Sequence, residues 1–100
     1  ETMIRHILLI KFKGSAEPSE VKKLRELFIA MPEKVAGVVS VEWGLNDSPE
    51  NLNQGYTHSV FMTFANEEGR QSYLYHPAHE ALKAVFSPLL EDIIVFDYQV

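Results

Sequence analysis

The chain has 100 residues, 46% hydrophobic and 23% charged, with no cysteine and a net charge of −5. That length predicts one domain, read here over residues 3–100, with a modest core that gains from a partner. The missing cysteines exclude disulfides and thiolate metal sites, and fourteen acidic against nine basic residues exclude a phosphate-backbone binder, so no nucleic acid is expected.

Met3 to Phe12 reads as a first strand. Ile4, His6, Leu8, Ile10 and Phe12 share one face; Met3, Arg5, Ile7, Leu9 and Lys11 share the other. Both faces are apolar in the middle, so each needs cover. The run Ile7–Ile10 is flanked by Arg5, His6 and Lys11 and has no small-residue cleavage site after it. It does not read as a signal peptide, and no apolar run is long enough to cross a bilayer. A cytoplasmic location, no membrane partner and a native start at Met3 are expected.

A helix begins at Ser19 after Pro18, with Glu20 in its first turn. Val21, Leu24, Leu27, Phe28 and Met31 recur at helical spacing. Pro32 predicts a break near Met31, and Ala36-Gly37 closes the segment. Val38 to Leu45 is a second strand, with Val39, Val41 and Trp43 or their neighbours toward the core. A polar connection over residues 46–55 leads to a third strand, Tyr56 to Phe64. His58, Val60, Met62 and Phe64 share one of its faces, and Thr57, Ser59, Phe61 and Thr63 the other.

Asn66 caps a helix from Glu67 to about Tyr75. Pro77 starts the next one, with Ala81, Leu82, Val85, Phe86 and Leu89 on its buried face. Asp92 to Tyr98 is a fourth strand. The order β-α-β-β-α-β with right-handed crossovers gives an α+β, ferredoxin-like domain: a four-stranded antiparallel sheet of order 4-1-3-2 with the helices on one face. The other face, with Ile7, Leu9, Phe61 and the fourth strand, has no cover in the chain. Such a patch marks an interface. A homodimer joined through the sheet face, a barrel-like assembly, is expected.

Ile4-Arg5-His6-Ile7-Leu8-Leu9-Ile10-Lys11-Phe12-Lys13, Val41-Glu42-Trp43-Gly44, Gly55-Tyr56-Thr57-His58, His76-Pro77-Ala78-His79 and Phe96-Asp97-Tyr98 occur in this order along nearly the whole chain. As a set they resemble the stress-responsive dimeric α/β-barrel domain family. That resemblance implies the same ferredoxin-like fold and dimeric barrel, and a biochemical role that is mostly unassigned. One plant member is a polyketide cyclase that closes an aromatic ring by aldol condensation. Its tyrosine and histidine match Tyr73 and His79, which the resemblance makes the catalytic candidates. The cyclase's pocket aromatics on the first helix fall on Leu24, Arg25 and Phe28, so its substrate does not transfer.

The residue chemistry points the same way. His79 lies two residues into the helix opened by Pro77, where the positive helix end disfavours an imidazolium and favours the neutral base that proton abstraction needs. Tyr73, one to two turns earlier, can donate to a developing oxyanion. The simpler reading has His79 bonding a helix terminus and Tyr73 packing at its edge.

His6 and His58 face the helices but lie at opposite ends of neighbouring antiparallel strands, too far apart to share a metal. No metal and no cofactor is expected. Asp97 reaches the same end of the sheet as His6. It either fixes the imidazole tautomer or forms a surface ion pair with Arg5 or Lys11. Lys22, Lys23 and Arg25, with Glu20 and Glu26, read as a solvated helix face.

The expected pocket lies between sheet and helices and takes a small apolar ligand. Leu8, Ile10, Phe28, Val60, Met62, Leu82 and Phe86 are its walls, His6, His58, Tyr73 and His79 its polar groups, and roughly 300 Å³ or more its volume. The function expected is small-molecule binding, with lyase or cyclase action on a carbonyl compound as its enzymatic form. The alternative is a structural stress protein that works through oligomer assembly.

Overall fold

Strand β1 (Ile4–Phe12) is central to the sheet, pairing with β3 (His58–Phe64) on one side and β4 (Leu90–Gln99) on the other. The computed structural model describes residues 2–100. With β2 (Val38–Leu45) beside β3, the sheet runs β2-β3-β1-β4, all antiparallel. This is the expected 4-1-3-2 order read from the other edge.

Alternation on β1 buries Ile4, His6, Leu8 and Ile10 toward the helices. Leu9 points to the opposite face and is 39% exposed, as are Ile94 at 40% and Phe96 at 60%. The open apolar face expected from the sequence is therefore present. No helix among the described residues is long and apolar enough to cross a membrane.

Helix α1 (Pro18–Ile29) starts one residue earlier than expected. Pro18 takes the first helical position, where its fixed φ suits the helix, and Glu17 and Glu20 form a reciprocal capping box. α1 ends at Ala30, and a short helix α2 (Met31–Lys34) follows with Pro32 near its start. The expected break near Met31 thus falls where proline's missing N–H costs nothing.

On β2 the inward positions change phase, a neighbour of Val39 taking its place at the start of the strand. The register against β3 shifts between Val38 and Ser40. Val38 is buried, Val39 turns outward at 53% exposure, and Val41 and Trp43 return inward, half-buried. A bulge has inserted one residue into the alternation.

Helix α3 (Glu67–Leu74) is capped by Asn66, whose Oδ1 accepts from Gly69 N at 2.8 Å. Its first turn lies directly on the start of β2. A Cβ on Gly37 would lie 2.6 Å from Gly69 Cα, and Gly37 has φ +96°. Only glycine meets both demands, and the close approach fixes where α3 presents Tyr73. His76 caps helix α4 (Pro77–Phe86), its Nδ1 accepting from Ala78 N at 3.0 Å. α4 buries Leu82 and Phe86 with Ala78 and Val85 against the core. Ala81, expected inside, is exposed, because the inward stripe runs 78, 82, 85–86. A 3-10 turn (Ser87–Leu89) then feeds β4, which is longer than the expected Asp92–Tyr98.

Candidate functional site

His6 and Asp97 are directly paired across β1 and β4. His6 Nδ1–H donates to Asp97 Oδ1 at 2.7 Å, and Arg70 donates to Asp97 Oδ2 at 3.1 Å. Arg70 also holds Glu67 on its own helix, which lowers the Glu67 carboxyl below its ordinary value. Of the two alternatives open for Asp97, the histidine partnership is the one present. Arg5 instead donates to Thr63 at 2.8 Å. The Asp97 bond fixes the His6 tautomer and leaves Nε2 as the uncommitted ring nitrogen. Arg70 carried no signal in the sequence, because the contact depends on where α3 crosses the end of β4.

Tyr73 sits beside this pair, its ring centroid 6.3 Å from that of His6 and 4.4 Å from that of His79. The Tyr73 ring is only 1% exposed, and burial raises its pKa above the ordinary phenol value. Its hydroxyl therefore keeps its proton. That hydroxyl makes no side-chain hydrogen bond to the described residues, among which no fully buried side-chain polar atom lacks a partner. The hydroxyl, like the ring, is almost wholly enclosed.

His79 Nδ1–H donates to the Leu74 carbonyl at 3.1 Å, so its Nε2 carries the lone pair when the ring is neutral. Burial lowers the His79 pKa, opposed by the Leu74 carbonyl and assisted by Lys83 and His6. His79 thus bonds a helix terminus, as its simpler reading held, and that bond also orients it as a neutral base. A phenol donor and an imidazole acceptor stand in ring contact, with a second imidazole nearby.

His58 does not join them. It pairs with Ile10 on β1, four positions from the His6 level, or about 13 Å along the strand. Its ring packs edge-on against Phe12 at 5.0 Å and Trp43 at 5.5 Å, and burial lowers its pKa.

The expected enclosed pocket is not found. Leu8, Ile10, Phe28, Val60, Met62, Leu82 and Phe86 are each 5% exposed or less and form one packed cluster. Large side chains meet in the helix–sheet layer: Phe28 lies 5.5 Å from Phe86 and 6.2 Å from Trp43. Of the expected walls and polar groups, only His58 lines either of two open clefts formed by the described residues. One, of about 400 Å³, opens on the bare sheet face beside Leu9, Tyr56 and Ile94. The other, of about 520 Å³, lies between the start of α1 and the Trp43–His58 corner. No group of three or more His, Asp or Glu side chains among the described residues is disposed to hold a metal ion.

The sequence pattern of the stress-responsive A/B barrel domain matches residues 4–100. The chain belongs to that family. The A/B barrel relatives include the stress-response A/B barrel domain-containing protein HS1 of Arabidopsis thaliana, 32% identical over 96 residues, covering 96% of this chain and 88% of that protein. Olivetolic acid cyclase of Cannabis sativa is 28% identical over 95 residues, covering 95% and 94% of the two chains. Among solved structures, hydroxynitrile lyase from Passiflora edulis superposes with a TM-score of 0.91 at 21% identity, covering 98% and 93%. A dimeric ferredoxin-like protein of unknown function from Thermobifida fusca gives 0.84 at 22%, covering 99% and 92%. At those two identities the likeness is one of fold. In this A/B barrel chain, the tyrosine and histidine singled out by resemblance are in ring contact at 4.4 Å.

Proposed function

We propose that this A/B barrel protein binds a small carbonyl compound and moves a proton on it in a cyclase- or lyase-type step. His79 Nε2 takes the proton from carbon, and the Tyr73 hydroxyl donates to the oxygen as negative charge develops there. His6, held by Asp97 and 6.3 Å from the Tyr73 ring, is the second imidazole available to steady the bound oxygen. The observation that carries this reading is the 4.4 Å ring contact between a phenol kept protonated and an imidazole whose Nδ1 is tied to Leu74. The name of the cyclase relative, and the lyase that shares the fold, agree with it.

The working unit is proposed to be a homodimer joined through the open face of the sheet. Leu9, Ile94 and Phe96 supply its apolar contact, and the fold neighbour from Thermobifida fusca is dimeric.

The packed helix–sheet layer favours a second reading, in which the protein acts only by assembly. One experiment separates the two. Linear poly-β-ketones are incubated with the protein and with Tyr73→Phe and His79→Gln, and ring closure is followed. Turnover that falls in both variants supports the catalytic reading. Turnover equal to buffer in the native protein, or unchanged in both variants, leaves the assembly reading.

A further inference from the structure

The cleft at the other end of the sheet has a chemistry of its own. Its floor is aromatic: His58 sits between Phe12 and Trp43, and Phe28 backs Trp43. Its rim is cationic. Lys13, Lys22 and Arg25 line it, and no carboxylate among the described residues does. This is notable in a chain of net charge −5. None of the three cations is in an ion pair among the described residues. All three are exposed, so their charge is hydrated and available rather than spent on structure.

Two further features belong to its wall. Gly55 forms part of its wall with φ +85°, and a Cβ there would lie 2.9 Å from Lys11 Cε. Thr57 Oγ1 lies 2.7 Å from His58 Nδ1, so the other ring nitrogen remains for a ligand.

We propose that this cleft is a binding site for organic anions with a flat apolar body, the body lying on Phe12 and Trp43 and the acid group meeting Lys22 and Arg25. A volume of about 520 Å³ suits a ligand of two fused or linked rings. Cations at a half-solvated rim select for charge and speed capture, while the aromatic floor holds the body. The site is separate from the Tyr73–His79 cluster, so it stands or falls without the proposed reaction.

The chain carries its own reporter, because Trp43 is its single tryptophan. The probes are 8-anilino-1-naphthalenesulfonate and its uncharged counterpart N-phenyl-1-naphthylamine, each titrated at low salt while Trp43 emission is read. The sulfonate is expected to quench Trp43 saturably and to bind about tenfold more tightly than the neutral probe. In the double variant Lys22→Glu/Arg25→Glu, both positions being exposed, sulfonate affinity is expected to fall about tenfold or more. The neutral probe is expected to shift less than about threefold in the same variant, well under the tenfold that 1.4 kcal/mol represents. Equal affinity for the two probes overturns the proposal. So does a sulfonate affinity untouched by the charge reversal, or a parallel loss of both probes.

Discussion

His6 and Asp97 face one another across β1 and β4, Nδ1 to Oδ1 at 2.7 Å, although 91 positions separate them in the chain. Arg70 takes the second carboxylate oxygen. One acidic side chain therefore joins a central strand, an edge strand and the helix that carries Tyr73. Replacing Asp97 by alanine removes acceptors from a buried imidazole and a half-buried guanidinium. Bonds to charged groups of this kind are each worth about 1.5–3 kcal/mol. Asp97→Ala is expected to lose about 2 kcal/mol in urea unfolding, and Asp97→Asn, which keeps one acceptor, less. An unfolding midpoint unchanged in Asp97→Ala would show that the linkage is not a structural one.

Tyr73→Phe separates chemistry from stability. The ring stays in its packed place, and the hydroxyl lost has no partner in the described protein. Stability within about 0.5 kcal/mol of native is expected, with turnover on a reactive carbonyl substrate lowered by about 10²-fold. A large loss of stability would mean that the hydroxyl is bonded within the fold.

Acid sensitivity follows from the two partly buried imidazoles. Burial lowers both the His58 and the His79 pKa from the ordinary 6.5. The unfolded chain then binds more protons than the folded one below that value, so stability falls as pH drops through about 6.5 and levels off below the folded values. The melting temperature is expected to be lower at pH 5.5 than at pH 7.5. The drop should shrink in His58→Gln/His79→Gln. The carboxyls of Glu67, Glu80 and Asp92 are also lowered, but they act below about pH 4.5 and do not blur this window. A melting temperature flat between the two pH values would contradict the sign.

The crossing of β2 and α3 admits no side chain. Gly37→Ala places a Cβ 2.6 Å from Gly69 Cα at φ +96°, and strain of this kind costs about 1–3 kcal/mol. Gly69→Ala meets the Gly37 carbonyl oxygen at 2.9 Å and should destabilise as well. Gly14→Ala has nothing within 4 Å and serves as the control. Thermal melts of the three variants check this; equal melting temperatures would refute it.

Association through the sheet face is tested by charge. Leu9→Glu/Phe96→Glu places carboxylates on the open apolar face while leaving the opposite, packed face untouched. Sedimentation at half the native mass is expected. A mass unchanged from native would move the interface elsewhere.

Strand and helix order, the sheet topology and the open face were legible because each rests on periodicity and on proline, glycine and asparagine signals. The Val39 bulge was not, since nothing in Val38-Val39-Ser40 departs from a regular strand pattern; the extra residue shows only against the β3 register. Tyr73 and His79 were legible by resemblance, and their contact follows from the short loop that joins α3 to α4. The pocket walls were read correctly as inward-facing. Whether inward residues enclose a space or fill it depends on side-chain volumes meeting across the layer, and Phe28, Trp43 and Phe86 fill it. The cationic cleft stayed hidden because Lys22 and Arg25 repeat like any wet helix surface until Trp43 and His58 are brought opposite them.

The bulge on β2 also bears on how copies of this chain can associate. β2 and β4 are the two free borders of the sheet, and a straight bare border invites a further strand to add, then another, without limit. Here the β2 border is kinked between Val38 and Ser40, and on β4 the Asp92 carboxylate occupies the Ile93 amide at 2.9 Å. Strand-by-strand growth is discouraged at both borders, while the broad apolar face stays available. For the pairing proposed through that face, such a shape favours a finite pair over a fibre.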